Sequence, residues 1–391
     1  MTPHTARIAI VGGGLSGLYA ACLLEQRGMP NYVVLEARDI LGGRIASASA
    51  SDQFASETTT ADSIDRFDLG PTWFWPEYQR ELSRLVESLG LRRFEQFETG
   101  DMLVERSANA RPARTHGYVN LPPSVRLIGG MGALVDALHR TLDPSRIQTG
   151  QTVRAVRCTT SHVDLDGEDA AKHVTTWRAD HVLLALPPRL AEHTIAFAPP
   201  LPRTLADDWR ATATWMAPHA KYMAIYETAF WRDQGLSGEA RSAHGPLGEI
   251  HDASMPGGSA ALFGFFGVPP HVRKARTEAE WCTQCRAQLV RLFGPQAANP
   301  RAEFIKDWAQ DRYTATAADL DTTGDHGHAP AAKVSSGPWR GRLTGIASEW
   351  SPHFPGYVAG AIQAAGMGVE ALGSPVIPTA RDHERTSSRP D

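Results

Sequence analysis

The sequence predicts an α/β fold in two parts: a βαβ nucleotide-binding domain and an inserted α+β domain built on an antiparallel sheet. Three observations carry this. The chain opens on a buried strand, a glycine turn, a helix and a second buried strand, RIAIVGGGLSGLYAACLLEQRGMPNYVVLE. From about residue 205 to 312 it becomes rich in aromatics and mixed in periodicity. At 391 residues it is too long for one ordinary core, so two domains are expected.

RIAIV is short, apolar and β-branched, as a buried strand requires. Gly12, Gly14 and Gly17 follow in G-x-G-x-x-G spacing. Gly12 allows a tight turn, Gly14 lets the backbone approach a pyrophosphate, and Gly17 lets the helix pack closely on the strand. Leu15 and Ser16 open that helix, whose unpaired N–H groups and positive dipole end suit an anion. Glu36 ends the second strand, 19 positions after Gly17, where a carboxylate accepts from ribose hydroxyls and disfavours a 2′-phosphate. The pattern is that of a Rossmann-like site for NAD or FAD, and the glycines do not separate the two. Ala37 and Arg38 come next, then a second glycine turn, Gly42-Gly43-Arg44.

Residues 46–66 are small and polar and read as a mobile surface loop. FDLGPTWFWP follows, with three consecutive aromatics at Trp73, Phe74 and Trp75. Strand alternation cannot turn all three to one side. Residues 77–92 have an amphipathic helical pattern, and 127–142 a glycine turn opening another helix. RIQTGQTVRAVRCT and HVDLDG read as paired strands, and HVLLALPP as a buried strand stopped by prolines. In the aromatic-rich stretch, KYMAIYETAFW reads as a strand with Lys221 at its head, and AALFGFFG carries Phe263, Phe265 and Phe266. RLTGIASEWSPHFPGYVAGAIQAAGMG returns to strand, loop and helix, and residues 374–391 read as a disordered tail.

Composition excludes several classes. Hydrophobic residues make up 42% and charged residues 21%, as in soluble globular proteins. A net charge of −4, with basic residues spread out, gives no footprint for nucleic acid. No apolar run is long enough for a membrane span, and the N-terminus lacks a signal-peptide layout, so a cytoplasmic location is expected. Four cysteines are not a disulfide framework. Cys282 and Cys285 form a CxxC on a predicted helix without a second ligand pair, which reads as a helix face rather than a zinc site. His326 and His328 lack carboxylate–histidine companions, so no metal is expected.

Set in order, these motifs resemble the flavin-dependent amine oxidases of the monoamine and polyamine oxidase type, over most of the chain. The family pattern appears as Gly12–Gly17, Gly42–Arg44, Asp68–Gly70, the GG-x-G turn at Gly129, Gly130 and Gly132, and Leu186-Pro187. It continues with Lys221 ten residues before Trp231, RLTGIASE, and Gly356-Tyr357 opening the last helix. The resemblance implies a GR2-type FAD-binding domain from residues 1–78, 129–205 and 313–373, and a substrate domain from 79–128 and 206–312. It implies FAD contacts from Gly12, Gly14, Leu15, Ser16, Gly17, Glu36, Ala37, Arg38, Gly43 and Arg44. Gly70, Pro71, Thr72, Trp73, Val153, Glu349, Tyr357 and Val358 complete that set. Trp73, Trp75, Phe265 and Tyr357 would line a substrate pocket, with Lys221 and Tyr357 as the catalytic pair. Lys221 would hold a water near flavin N5. His251 and His353 read as structural histidines.

The implied reaction oxidises the C–H bond beside an amine nitrogen, with the flavin supplying the redox chemistry, O₂ as acceptor and H₂O₂ as product. The protein would keep the amine unprotonated by desolvation. Three departures bear on this. Ala347 replaces a family glycine; no cysteine follows Cys285, so FAD would be noncovalent; Ala317 and Ala318 stand where a second aromatic is expected. The insertion between the DLG and GG-x-G turns is short, leaving the cavity more open or completed by a partner subunit in a homodimer. Two alternatives stay open: a desaturase or oxidase of a non-amine substrate on the same fold, and a non-redox flavin isomerase or silent FAD-binding partner.

Overall fold

The structure is a computed structural model and describes residues 3–49, 64–107, 109–117, 119–320 and 328–373. Most of the expected loop at 46–66, His326 and the tail at 374–391 lie outside the described residues.

The first sheet is wholly parallel, in the order Ile147–Gln148, Tyr32–Leu35, Ile8–Val11, His181–Leu184, Leu343–Gly345. Ile8–Val11 and Tyr32–Leu35 are buried throughout, because a parallel sheet is covered on both faces. Alternation sorts their side chains. Ile8, Ile10 and Val34 pack against the helices Leu15–Gln26, Gly132–Arg140 and Val358–Glu370. Ala9, Val11, Val33 and Leu35 pack on the opposite side, against Val156, Val163 and Leu165 of a second sheet.

That second sheet runs His4–Thr5, Val174–Ala179, Val163–Glu168, Thr152–Cys158, Ala196–Ala198. Residues 147–158 are therefore not one strand. Gly150, at φ +67°, breaks the run. Ile147–Gln148 joins the parallel sheet, and Thr152–Cys158 pairs antiparallel with Val163–Glu168. Val174–Ala179 escaped the sequence reading because its residues are mostly half-exposed and carry no apolar alternation.

The third sheet has seven strands, in the order Ala302–Asp307, Ala220–Tyr226, Ala260–Phe266, Leu247–Asp252, Leu236–Ser242, Asp101–Glu105, Ala113–His116. It is antiparallel except where Leu236–Ser242 meets Asp101–Glu105. Tyr222, Ala224 and Tyr226 face the helix Glu278–Phe293, which starts on a Thr277/Glu280 capping box. Met223, Ile225 and Phe263 face the other way, onto Phe67 and Leu69. This second face delivers Lys221 to the FDLG turn. Trp231, fully buried, donates to Asp252 Oδ2 (2.8 Å) within the core. Residues 79–128 serve both cores: Leu82 and Val86 pack with the first sheet's helices, while 101–116 joins the third sheet. No helix among the described residues is long and apolar enough to cross a membrane.

His181, at the head of a central parallel strand, gives a pH prediction. Its ring nitrogens meet Gly341 O (2.9 Å) and Thr344 Oγ1 (3.0 Å), and burial pulls its pKa down to about 4. Unfolded, it would titrate near ~6.5. The folded state thus resists a proton that the unfolded state accepts, so stability should fall as pH drops from about 6.5 towards 4. The shift is worth at most about 3 kcal/mol, less because the ring is not wholly buried. A His181→Asn variant should lose this part of the acid destabilisation in urea melts at pH 7 and pH 4.5. An identical difference between the two pH values in both proteins would refute it.

Candidate active site

The glycines at the nucleotide end have local reasons. Gly12 sits at φ +111°, and a Cβ there would lie 2.7 Å from Ala185 O. A Cβ on Gly17 would overlap Gly12 O. Gly14 differs: its Cβ would meet nothing nearer than Gly42 O and Gly43 Cα at 3.8 Å. Packing does not demand a glycine there; access does. Gly14 is also the N-cap of Leu15–Gln26, with no side-chain cap. An uncapped helix start beneath open space is a cradle for a pyrophosphate, so the residues present fit a dinucleotide. Gly17 serves packing here, and it is not among the residues that line the cavity.

Above this cradle a cavity of about 990 Å³ runs the length of the site. Gly12, Gly14, Leu15, Ser16, Glu36, Ala37, Arg38 and Val153 line one end. Glu36 accepts from Gly13 N (2.6 Å) and Arg38 N (2.8 Å), leaving lone pairs on both oxygens for hydroxyl donors. Arg38 is held by Asp311 (2.7 Å) and Thr314 Oγ1 (3.2 Å).

Gly43, Arg44, Gly70, Pro71 and Thr72 line the middle. Arg44 donates to both oxygens of Glu349, at 2.5 and 3.0 Å, and to Ser348 Oγ at 3.1 Å. Glu349, 2% exposed, does not line the cavity. Its carboxylate is engaged by Arg44.

Lys221 is held by the same stretch of chain. Its Nζ donates to Asp68 O (3.1 Å), Gly70 O (2.7 Å) and Thr72 Oγ1 (2.7 Å). All three protons are spent on one turn, the ammonium lies 4.3 Å from the Phe263 ring centroid, and Lys221 does not line the cavity. Burial pulls the lysine's pKa down and Asp68 opposes the fall; burial also pushes the Asp68 carboxyl up against the pull of Lys221.

The far end is aromatic. Trp73, Trp75, Phe265, Tyr357 and Val358 line it, while Phe74, between the tryptophans, is fully buried core. Phe266 also reaches the cavity, and Phe263 lies beneath Lys221. Trp73 Nε1 donates to Gln96 Oε1 (2.8 Å), and its ring meets His251 edge-on at 4.9 Å. His251 Nε2 lies 2.6 Å from Glu249 Oε1, and Arg241 pairs with the other oxygen. Burial opposes charge on Glu249, but the bond from His251 and the Arg241 guanidinium hold its carboxyl below the usual range.

Sequence reasoning missed Trp215, Trp308, Arg241 and Glu249, all on the cavity wall. The one available signal was an aromatic, Trp215, in a segment without periodicity just ahead of a buried strand. Ala317 lines the wall without a ring, and His353 is exposed and bound to Gln363. His328 is exposed, and no group of His, Cys, Asp and Glu able to hold a metal occurs among the described residues. Cys282 and Cys285 lie on Glu278–Phe293, away from the cavity, with burial pushing both thiols up.

A parallel βαβ sheet with an uncapped glycine cradle, opening into an aromatic chamber, defines a dinucleotide-dependent oxidoreductase fold. The chain belongs to the flavin containing amine oxidoreductase family, whose model matches residues 107–372; an NAD(P)-binding Rossmann-like domain model matches residues 10–89. It is 25% identical to the putrescine oxidase of Kocuria rosea, over 89% of this chain and 92% of that one. It is 23% identical to a probable flavin-containing monoamine oxidase A of Dictyostelium discoideum, over 91% and 95%. A solved putrescine oxidase bound to putrescine matches with a TM-score of 0.76, at 20% identity, covering 95% of this chain and 99% of that one. Cyclohexylamine oxidase from Brevibacterium oxydans IH-35A covers 94% and 98%, also at 20% identity. The protein is thus a flavoprotein oxidoreductase of the amine oxidase type.

Proposed function

We propose that the protein binds FAD noncovalently and oxidises an apolar amine. One observation carries this: a single cavity joins the glycine cradle to a chamber walled by Trp73, Trp75, Phe265 and Tyr357. FAD bound there would supply the redox chemistry: a hydride acceptor for the carbon beside the amine nitrogen, with the imine going to water and the electrons to O₂ as H₂O₂.

The chain's residues supply binding, shape and dryness. The N–H groups above Gly14 and the Arg44 guanidinium would hold the pyrophosphate, and Glu36 the ribose. The aromatic chamber disfavours a charged ammonium and so favours the neutral, reactive amine. Lys221 positions the 68–72 turn, and through it Thr72 and Trp73. None of the four cysteines lines the cavity, which supports noncovalent binding. All four are unpaired, which suits a reducing compartment, and we place the protein in the cytoplasm. We assign the FAD-binding part to residues 1–78, 129–205 and 313–373 and the substrate part to 79–128 and 206–312; Leu82 and Val86 of the latter pack with the first sheet's helices.

The test is anaerobic titration of the purified yellow protein against primary, secondary and diamine substrates. Loss of flavin absorbance with an amine, and H₂O₂ on readmitting air, are expected. Acid precipitation should release all the flavin into the supernatant. Full retention of colour against every amine would remove amine oxidation, and flavin in the pellet would remove noncovalent binding.

A further inference from the structure

We propose that Trp215 is the second aromatic wall of the substrate chamber and selects for amines bearing a flat apolar group. This rests on the amine-oxidising reading above and names the substrate feature read there.

Residues 212–219 connect the helix Arg203–Ala211 to the strand Ala220–Tyr226. Such a connector could wander, but buried ion pairs pin both its ends. At the start, Asp319 accepts from Thr214 N (3.0 Å) and pairs with Arg189 (2.6 Å). Arg189 also donates to Arg210 O (2.8 Å) and Ala211 O (3.0 Å). At the end, Arg273 donates to Pro218 O (2.8 Å) and pairs with Asp307 (2.7 Å). Side-chain exposures are 7% and 0% for the first pair, 4% and 10% for the second. Desolvated pairs add little net stability, but removing one partner leaves a buried charge, so they fix a local backbone path.

That path puts the Trp215 ring on the cavity wall, 5.0 Å from the Tyr357 ring centroid with the planes at 45°. Trp215 also packs on the turn before Tyr357, at Gly356. This glycine sits at φ +81°, and a Cβ on it would lie 3.5 Å from Trp215 Cβ and Cε3. The same Asp319 binds Thr316 N (2.9 Å) and Oγ1 (2.8 Å), tying the ringless stretch Ala315–Ala317 to the Trp215 loop. The ring that this stretch lacks is thus provided by its neighbour.

Two rings in contact leave no slot between them. They form a corner, and a substrate lies along its faces rather than between parallel plates. A flat apolar substituent gains most from such a surface. The charges at this end add no competing preference for a second ammonium, because Glu249 is already paired with Arg241 and His251.

The test is calorimetric binding to the flavin-loaded protein of two amines with no hydrogen on the carbon beside nitrogen. These are α,α-dimethylbenzylamine and tert-butylamine, which differ by the aryl ring and cannot be oxidised. In Trp215→Leu the aryl amine should bind on the order of 10-fold more weakly, while tert-butylamine changes less than about twofold. Trp215→Phe, which keeps a ring, should stay within about threefold of wild type for both. If Trp215→Leu loses its flavin, the same ratio in Trp215→Met, which also lacks a ring, decides. An unchanged aryl preference, or no binding of either probe to wild type, overturns the proposal. Failure of oxidisable amines to bleach the flavin instead overturns the oxidase reading and leaves this binding result standing.

Discussion

Lys221→Met should lower thermal stability and slow flavin reduction together. Methionine fills much the same volume but donates nothing. Asp68 O and Gly70 O would then lose their donor in a site where Lys221 is 2% exposed. Each buried carbonyl left unpaired costs about 1–3 kcal/mol. Some is returned, because the buried ammonium no longer needs desolvation. The turn would relax, and with it Pro71, Thr72 and Trp73 on the cavity wall. A displacement near 1 Å can cost on the order of 100-fold in rate, so anaerobic reduction by amine should slow by about 10- to 100-fold. A lysine working through a water at the ring edge makes another signature: impaired reoxidation by O₂ at unchanged melting temperature. Stopped-flow measurement of both half-reactions, with a thermal melt, separates the two. Thr72→Val, which removes one acceptor of the three, should show the same pattern in weaker form.

This lysine shows how far the sequence could be read. Its spacing to Trp231 singled it out, and its strand was legible as an apolar run. A strand has two faces, however, and nothing local says what lies opposite each. The answer is the turn at Asp68–Thr72, 149 or more residues away in the chain. The nucleotide end was legible because its causes are local. Gly12 needs a positive φ, Gly17 must clear the Gly12 carbonyl, and Gly14 must leave a helix start open. Glu36 and Arg44 follow within the same unit. The chamber was legible only in part, through Trp73, Trp75, Phe265 and Tyr357; the rest of its geometry is set over long range. Trp215 has no periodic context, and its placement depends on Asp319 and Arg273, far along the chain. Glu349 was picked out by its motif, but its partner, Arg44, is 305 residues distant.

That partner makes the second large prediction. Glu349→Gln should weaken FAD retention without touching the cofactor. Glu349 Oε1 and Oε2 take two N–H groups of Arg44, and Ser348 Oγ donates to Oε2 at 3.2 Å. The Glu349 side chain is 3% exposed and that of Arg44 is 25%. Glutamine keeps one acceptor but turns an NH₂ towards the guanidinium, so the bidentate clasp becomes a single bond plus a repulsion. Breaking a fully buried pair costs about 3–5 kcal/mol; with Arg44 partly wet, about 1.5–3 kcal/mol is expected. If that loss falls on the orientation of Arg44 at the cradle, FAD should bind about 10- to 100-fold more weakly. A double-mutant cycle decides the route. When Glu349 acts only through Arg44, Arg44→Met alone and Arg44→Met with Glu349→Gln should release FAD equally. Additive losses would mean that Glu349 reaches the cofactor itself, and the clasp would then be incidental.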